Sequence, residues 1–378
     1  MMAALKEELI RRIKADPREW ISFRDYMELA LYHPQEGYYM RPKVKIGKRG
    51  DFYTSSSIHP VFAQTIARLA LKVSKAWGRP LCFCEAGGGT GAFARHFLDY
   101  VRQREPEEYA FTRYFLLERS GYHREVQEEN LAEHEGHLIW LEEGDGWDLF
   151  PSEGILFANE LFDAFPVHVV ERGPKGWMEV GVGYDETENR LVEKKVPLEN
   201  GEVKEYLQKI PCLFPKGQRL EVPLDAIRWV KKGASKMKAA LWLVIDYGYR
   251  WTDLCRGGLV RGTVRSFFNH QVDGNVYDRP GEKDITADVC FDALGEAAKR
   301  GGFKEVGLIP QDKFLLISGI LDFLEEHHER DPFHPKAKKN RAIAHLLSPA
   351  GISAAFSVFV LAKGIPEEVS QLFQLPFD

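Results

Sequence analysis

The sequence predicts an α/β fold, a doubly wound and largely parallel sheet interrupted by an inserted lobe. Short apolar runs at 81–84, 115–117, 138–141 and 155–158 alternate with helical patterns. That alternation is expected of strands buried on both faces and joined by helices. A cluster of glycines, Gly87 to Gly91, stands directly between the first of these strands and the helix that follows. After residue 168 the rhythm stops, and it resumes only at Leu241 to Ile245, which marks the intervening stretch as an insertion.

At 378 residues the chain has the length of about two average domains, or of one large α/β domain with insertions. With 44% hydrophobic and 28% charged residues it reads as a folded globular protein and excludes a disordered or collagen-like one. Lys plus Arg is 51 against 56 for Asp plus Glu, a net charge of −5. An acidic total does not supply the field that non-specific nucleic-acid binding needs, so nucleic acid is not the expected partner. The most apolar stretches, 241–245 and 358–361, fall far short of the roughly 20 residues that span a bilayer, and no membrane insertion is expected. The N-terminus is amphipathic and contains acids, without a long apolar core before a cleavage site, so the expected location is cytoplasmic. Five cysteines, an odd number spread through the chain, argue against a disulfide framework. Cys82 and Cys84 share one face of a strand, but no second pair follows at zinc spacing, so no metal site is expected.

In chain order, residues 1–60 read as a helical segment ending in a loop, Lys43 to Asp51, that packs four cations and two glycines into nine residues. Val61, Phe62, Ile66, Leu69, Ala70 and Val73 recur at helical spacing and lead into the first strand. Phe93, Phe97, Leu98 and Val101 mark one face of the helix after the glycines. Trp177 to Val196 reads as an antiparallel hairpin around the polar turn Asp185 to Arg190. A helix is expected near Val289 to Lys299, a strand near Phe303 to Leu308, helices near 311–328 and 338–347, and a last strand over Ala354 to Leu361.

The segment Cys84-Glu85-Ala86-Gly87-Gly88-Gly89-Thr90-Gly91-Ala92 lets the backbone turn tightly and approach a ligand with no Cβ in the way. Gly87, Gly89 and Ala92 also satisfy the loose dinucleotide pattern, in which a pyrophosphate sits at the helix N-terminus. Glu85, two residues before the first glycine, would repel a pyrophosphate but suits the cationic methionyl part of S-adenosylmethionine. Glu118, at the end of the second strand, can accept hydrogen bonds from ribose hydroxyls, which supports an adenosine ligand of either kind. Glu142, Glu143 and Asp145, after the third strand, are alternatives for the exocyclic amine of adenine. Asp246 ends the fifth strand at the sheet edge where ligands of such folds bind, and His327-His328 reads as a solvated helix end.

At the end of the fourth strand stands Ala158-Asn159-Glu160-Leu161-Phe162-Asp163-Ala164-Phe165-Pro166-Val167. With Gly50-Asp51-Phe52-Tyr53-Thr54-Ser55, Glu85 to Gly91, Asp246-Tyr247-Gly248-Tyr249, Gly262-Thr263-Val264-Arg265 through His270 and Pro280-Gly281, and the run Asp284 to Val289, it resembles the MidA-type family of S-adenosylmethionine-dependent methyltransferases. The resemblance extends from about residue 20 to 362 and departs from the family pattern at Ser56-Ser57 and Ala63. It implies a seven-stranded, Rossmann-like methyltransferase sheet with an inserted substrate lobe, and S-adenosyl-L-methionine as cofactor. Because mitochondrial members are complex I assembly factors acting as protein-arginine methyltransferases, it also implies a protein substrate, with a respiratory-complex subunit as the model. The cofactor-binding residues are then Glu85, Gly87, Gly89, Gly91 and Glu118, with Asp51 and Thr54 on a lid loop. The catalytic candidates are Glu160 and Asp163 as a carboxylate clamp, Asn159 beside the methyl donor, and His270 on a loop.

The chain divides accordingly into an N-terminal segment and lid (1–60), a cofactor-binding half of the core (61–168), an inserted substrate lobe (169–235), a core continuation with a long loop (236–310), a helical insertion (311–348) and a final strand with its tail (349–378). Two other readings compete with arginine methylation: methyl transfer to RNA or a small molecule, and a non-catalytic assembly factor that keeps the cofactor fold.

Overall fold

The apolar runs of the sequence become strands of one seven-stranded sheet, and the helical patterns between them cover its two faces. The structure is a computed structural model. It describes residues 2–43, 59–141, 149–257, 259–268, 271–326, 331, 333–349 and 351–373. The elements used below are, in chain order, α1 (Met2–Ala15), α2 (Phe23–Tyr32), α3 (Val61–Trp77), β1 (Cys82–Ala86), α4 (Ala92–Arg104), β2 (Arg113–Leu117), α5 (Gly121–Asn130), β3 (Leu138–Leu141) and β4 (Glu153–Asn159). They continue with β5 (His168–Arg172), β6 (Trp177–Asp185), β7 (Arg190–Pro197), α6 (Gly201–Lys209), β8 (Arg219–Val222), α7 (Leu224–Lys236), β9 (Ala239–Asp246), β10 (Arg265–Phe268), β11 (Asp284–Thr286), α8 (Phe291–Lys299), β12 (Lys304–Pro310), α9 (Gln311–Ile317), α10 (Pro335–Leu347) and β13 (Ser357–Lys363).

The order across the main sheet is β12-β13-β9-β4-β1-β2-β3. Strands β9, β4, β1, β2 and β3 are parallel, and β13 runs antiparallel between β9 and β12. Alternate side chains leave the sheet in opposite directions. Phe83, Tyr114, Phe157 and Leu243 meet α3, α4, α9 and α10 on one face, while Cys84, Phe115, Leu156 and Trp242 meet α7 and α8 on the other. Burial on both faces is why these strands read as continuous apolar runs. Phe83 is the hub of the first face, fully buried with its ring 4.4 Å from Phe97, 5.3 Å from Tyr114 and 5.7 Å from Phe157. Phe83→Ala is expected to cost about 3 to 5 kcal/mol, read as a lower denaturant midpoint.

A second, five-stranded sheet holds Ile21–Ser22, β6, β5 and β8 in that order, with β7 paired to β6. The expected hairpin is thus β6–β7. Leu5, Leu9, Ile13, Phe23 and Met27 of α1 and α2 pack on Val169, Val180 and Val182 of this sheet. The N-terminal segment and the insertion, read separately from sequence, therefore form one lobe. A Cβ at Gly181 would lie 2.2 Å from the Ile21 carbonyl oxygen, so glycine is what permits the close pairing.

Three sequence expectations change. Helix α7 falls inside the expected inserted lobe of 169–235, but only Leu224 and Ile227 pack with that lobe's core while Ala226, Trp229 and Val230 pack on the main sheet, so α7 joins the two. The helix expected near 311–328 ends at Ile317, and α9 with α10 packs through Phe314, Leu315, Ile343 and Leu346 on the face formed by α3 and α4. Cysteine counting also missed a disulfide, Cys212 to Cys255, whose Cα atoms are 5.7 Å apart. A turn after α6 and the end of a short helix, 43 residues apart in sequence, meet there, which no count of cysteines reveals. Among the described residues no helix is long and apolar enough to cross a membrane, and no group of three or more His, Cys, Asp or Glu could hold a metal ion.

Candidate active site

The β1–α4 connection turns through three glycines in the left-handed region, Gly87 at φ 74°, Gly89 at φ 54° and Gly91 at φ 75°. Side chains are strained there, which explains the glycine-rich sequence. The turn is tied down from the neighbouring strand. The Gly87 N–H donates to the Leu117 carbonyl oxygen at 2.9 Å, and the Gly89 N–H donates to Glu118 at 3.2 Å. Glu118 also accepts from the Ser120 N–H at 2.9 Å and from Gln127 at 3.3 Å, while Gln127 donates to the Gly89 carbonyl oxygen at 2.9 Å. Glu85 is buried and accepts from the Tyr114 hydroxyl at 2.7 Å.

Burial pushes the Glu85 carboxyl up to about 7, against the Tyr114 hydrogen bond that lowers it, and the charge of Glu118 adds to the rise. Burial pushes Glu118 up to about 7 as well, opposed by the N–H groups of Ser120 and Gly89. Both folded values exceed the unfolded value of 4.5, so the folded chain holds these protons more tightly. Their contribution to stability is fully present below that unfolded value and is lost as pH rises through about 7. The wild-type denaturation midpoint should therefore fall across that window more than that of Glu85→Gln, which cannot ionise.

Across the turn lies the loop that follows β4, close enough that a Cβ on Gly87 would sit 2.9 Å from Leu161 Cδ1. Glu160 takes φ 52°, unusual outside glycine, and its N–H donates to the Ile245 carbonyl oxygen at 2.8 Å. Asp163 is buried and accepts from the Tyr247 hydroxyl. Burial raises its carboxyl to about 6, against the Tyr247 hydrogen bond and the charge of Arg265. Asp246, expected at the ligand edge, is fully buried behind this loop. It accepts from the N–H groups of Phe162 (3.0 Å), Asp163 (3.3 Å) and Tyr247 (3.0 Å), so it props the loop. Arg265 donates to Asp288 at 2.6 Å and lies 4.6 Å above the Tyr247 ring, and Asp284 accepts from the Tyr39 hydroxyl at 2.8 Å.

These two walls enclose one cleft of about 780 Å³. It is lined by Glu85, Gly87, Gly89, Glu118, Asn159, Glu160 and Asp163 among the residues singled out in the sequence. Gly91 stands behind it, where a Cβ would meet Gln127 and Leu131 at 3.2 Å. Asp51, Thr54 and His270 lie outside the described residues, as do Glu142, Glu143, Asp145 and the pair His327-His328. Tyr39, Tyr247, Arg265, Asp284 and Asp288 complete the lining. No catalytic role had been read for them, although the spacing of Asp284 and Asp288 around Thr286 was a signal for two acids near one strand end.

The glycine turn, the carboxylates Glu85 and Glu118 and a cleft at the carboxyl ends of parallel strands define the class, a Rossmann-like protein built to hold a nucleoside cofactor. Residues 65–309 match the family model described as "Putative S-adenosyl-L-methionine-dependent methyltransferase", and the chain belongs to that family. Among curated proteins it is similar to the mouse protein arginine methyltransferase NDUFAF7, mitochondrial, at 26% identity over 332 residues, covering 79% of this chain and 71% of the relative. The zebrafish counterpart is 28% identical over 335 residues, with 79% and 73% covered. Among solved structures, a COG1565 superfamily member from Burkholderia thailandensis bound to S-adenosyl-homocysteine matches with a TM-score of 0.82 at 30% identity. The match covers 97% of this chain and 94% of that one. The mitochondrial relatives overturn the cytoplasmic location expected from the N-terminus, because an N-terminal reading weighs only the first residues and not the company the fold keeps.

The residues present fit S-adenosyl-L-methionine, the cofactor of the family. Asn159 Oδ1 is buried in the cleft with no hydrogen-bond partner in the protein, an acceptor beside the glycine turn that suits an ammonium or hydroxyl donor. Glu85, buried, and Glu118, partly buried, add two carboxyl groups to the lining, which would suit the cationic and ribose parts of that cofactor.

Proposed function

We propose that the protein transfers a methyl group to an arginine side chain of a protein substrate. The observation that carries this reading is the wall opposite the glycine turn, where Glu160, Asp163, Asp284 and Asp288 line the cleft together with Tyr39 and Tyr247. A guanidinium is planar and permanently charged, and carboxylates are the groups that fix its plane. The bound cofactor supplies an electrophilic methyl group on its sulfonium. Glu160 and Asp163 hold the acceptor in line and draw charge away from the attacking nitrogen, and Asp163 receives the proton that nitrogen gives up. Tyr247 keeps the Asp163 carboxylate aimed, and Asn159 adds a neutral contact beside the donor. Asp51 and Thr54 remain cofactor-binding candidates and His270 a catalytic one on the family resemblance alone. The lobe of α1, α2 and β5 to β8 receives the protein substrate, and the family resemblance makes a respiratory-complex subunit the model for it; the mitochondrial relatives are themselves named protein arginine methyltransferases.

Labelled S-adenosylmethionine, added with the protein to separate protein, RNA and small-molecule fractions of the source cell, tests this reading. Label is expected in the protein fraction. Label confined to RNA or small molecules would assign another acceptor, and cofactor binding with no label in any fraction would favour a non-catalytic factor.

A further inference from the structure

Arg265 is a cation set among the acids of the acceptor wall just described, and its surroundings are those a guanidinium ligand would meet. Its Nη1 donates to Asp288 Oδ1 at 2.6 Å and to the Thr263 carbonyl oxygen at 3.1 Å. Its Cζ lies 4.6 Å from the centre of the Tyr247 ring and 5.9 Å from that of Phe267. A carboxylate at the edge and an aromatic ring on the face are the two features that recognise a planar cation. The same Tyr247 donates its hydroxyl to Asp163, so this arrangement is continuous with the group assigned to take the proton. Asp288 itself is held by its N–H, which donates to Thr263 Oγ1 at 3.0 Å, so the seat is braced independently of the guanidinium.

We propose that the cleft contains a guanidinium seat, formed by Asp288, Tyr247 and Phe267, which the chain's own Arg265 fills until a substrate arginine displaces it. This rests on the arginine reading of the acceptor wall and adds to it a binding site and a built-in competitor. Self-occupancy lowers the apparent affinity for an external guanidinium in proportion to the fraction of molecules in which the seat is open. A seat filled ~90% of the time weakens binding ~10-fold. It also favours substrates presented by a docked protein over free arginine, since docking supplies the effective concentration needed to displace an internal group.

The test is chemical rescue with ethylguanidinium chloride, read by the thermal midpoint against ethylammonium chloride at equal concentration. Arg265→Ala opens the seat, and its midpoint should rise with ethylguanidinium, whereas wild type should respond at least ~10-fold more weakly in concentration. Adding Asp288→Asn to Arg265→Ala should remove the response. Equal responses of wild type and Arg265→Ala, or none in Arg265→Ala, would overturn the proposal. Should Arg265→Ala fail to fold, Arg265→Lys keeps the charge without the planar fork and should respond to ethylguanidinium between the two; a response no greater than wild type would overturn it. Because this readout needs no turnover, it is separable from the acceptor reading. Ethylguanidinium binding with no arginine label in protein would leave the seat standing and remove arginine as the acceptor.

Discussion

Gly89→Val is expected to abolish binding of S-adenosyl-homocysteine, with affinity down at least ~100-fold. Two costs combine. Gly89 sits at φ 54°, where a β-branched residue is strained by about 1 to 3 kcal/mol. Its N–H and carbonyl oxygen are both fixed, to Glu118 and Gln127, so the turn cannot relax without releasing the carboxylate assigned to the ribose. Gly89 also lines the cleft, so a branched side chain takes space the cofactor needs. Calorimetry with S-adenosyl-homocysteine reads the affinity, and far-ultraviolet circular dichroism checks that the fold survives. Near-normal affinity in a folded variant would remove the glycine turn from the cofactor site.

Asp163→Asn should leave cofactor affinity intact and lower methyl transfer at least ~100-fold, the scale of lost acid–base help. Asparagine is nearly isosteric and still meets the Tyr247 hydroxyl, so the loop propped by Asp246 is kept. Glu160→Gln should act in the same direction through loss of the clamp. The raised carboxyl of Asp163, near 6, adds a pH signature. Only the ionised form accepts a proton, so the wild-type rate should rise through about pH 6, and the Asn variant should lose that limb. A variant with wild-type rate and pH profile would exclude Asp163 from proton transfer.

The parts of this molecule that were legible in the sequence are local. Strand, glycines and helix follow one another within Cys82 to Arg104, so Glu85 and the glycine turn could be placed without knowing the fold. Asn159 ends a strand, Glu160 and Asp163 follow it within four residues, and all three are placed in the same way. What escaped is built from distant pairs. Tyr39 reaches Asp284 across 245 residues, and Arg265 reaches Asp288 because β10 and β11 pair antiparallel, a register that periodicity does not encode. The union of α1 and α2 with the inserted sheet is likewise a tertiary event, since each piece has its own amphipathic pattern and neither names its partner. Helix α7 escapes a sequence-based division for a related reason: its apolar residues serve both the insertion and the main sheet, and the stripe alone does not say which residue faces which. Asp246 shows the converse, a polar residue at the expected ligand edge that accepts from the backbone of the loop after β4 and from the Tyr247 N–H.

The acceptor itself is tested most directly by mapping the atom that receives the methyl group. Proteins of the source cell are labelled with the purified enzyme and isotopic S-adenosylmethionine, digested, and sequenced by mass spectrometry beside an Asp163→Asn control. The account predicts isotopic methyl groups on guanidino nitrogens of arginine, absent from the control. Isotopic methyl groups on lysine, carboxylates or other side chains, or on arginine at equal levels in the control, would contradict it.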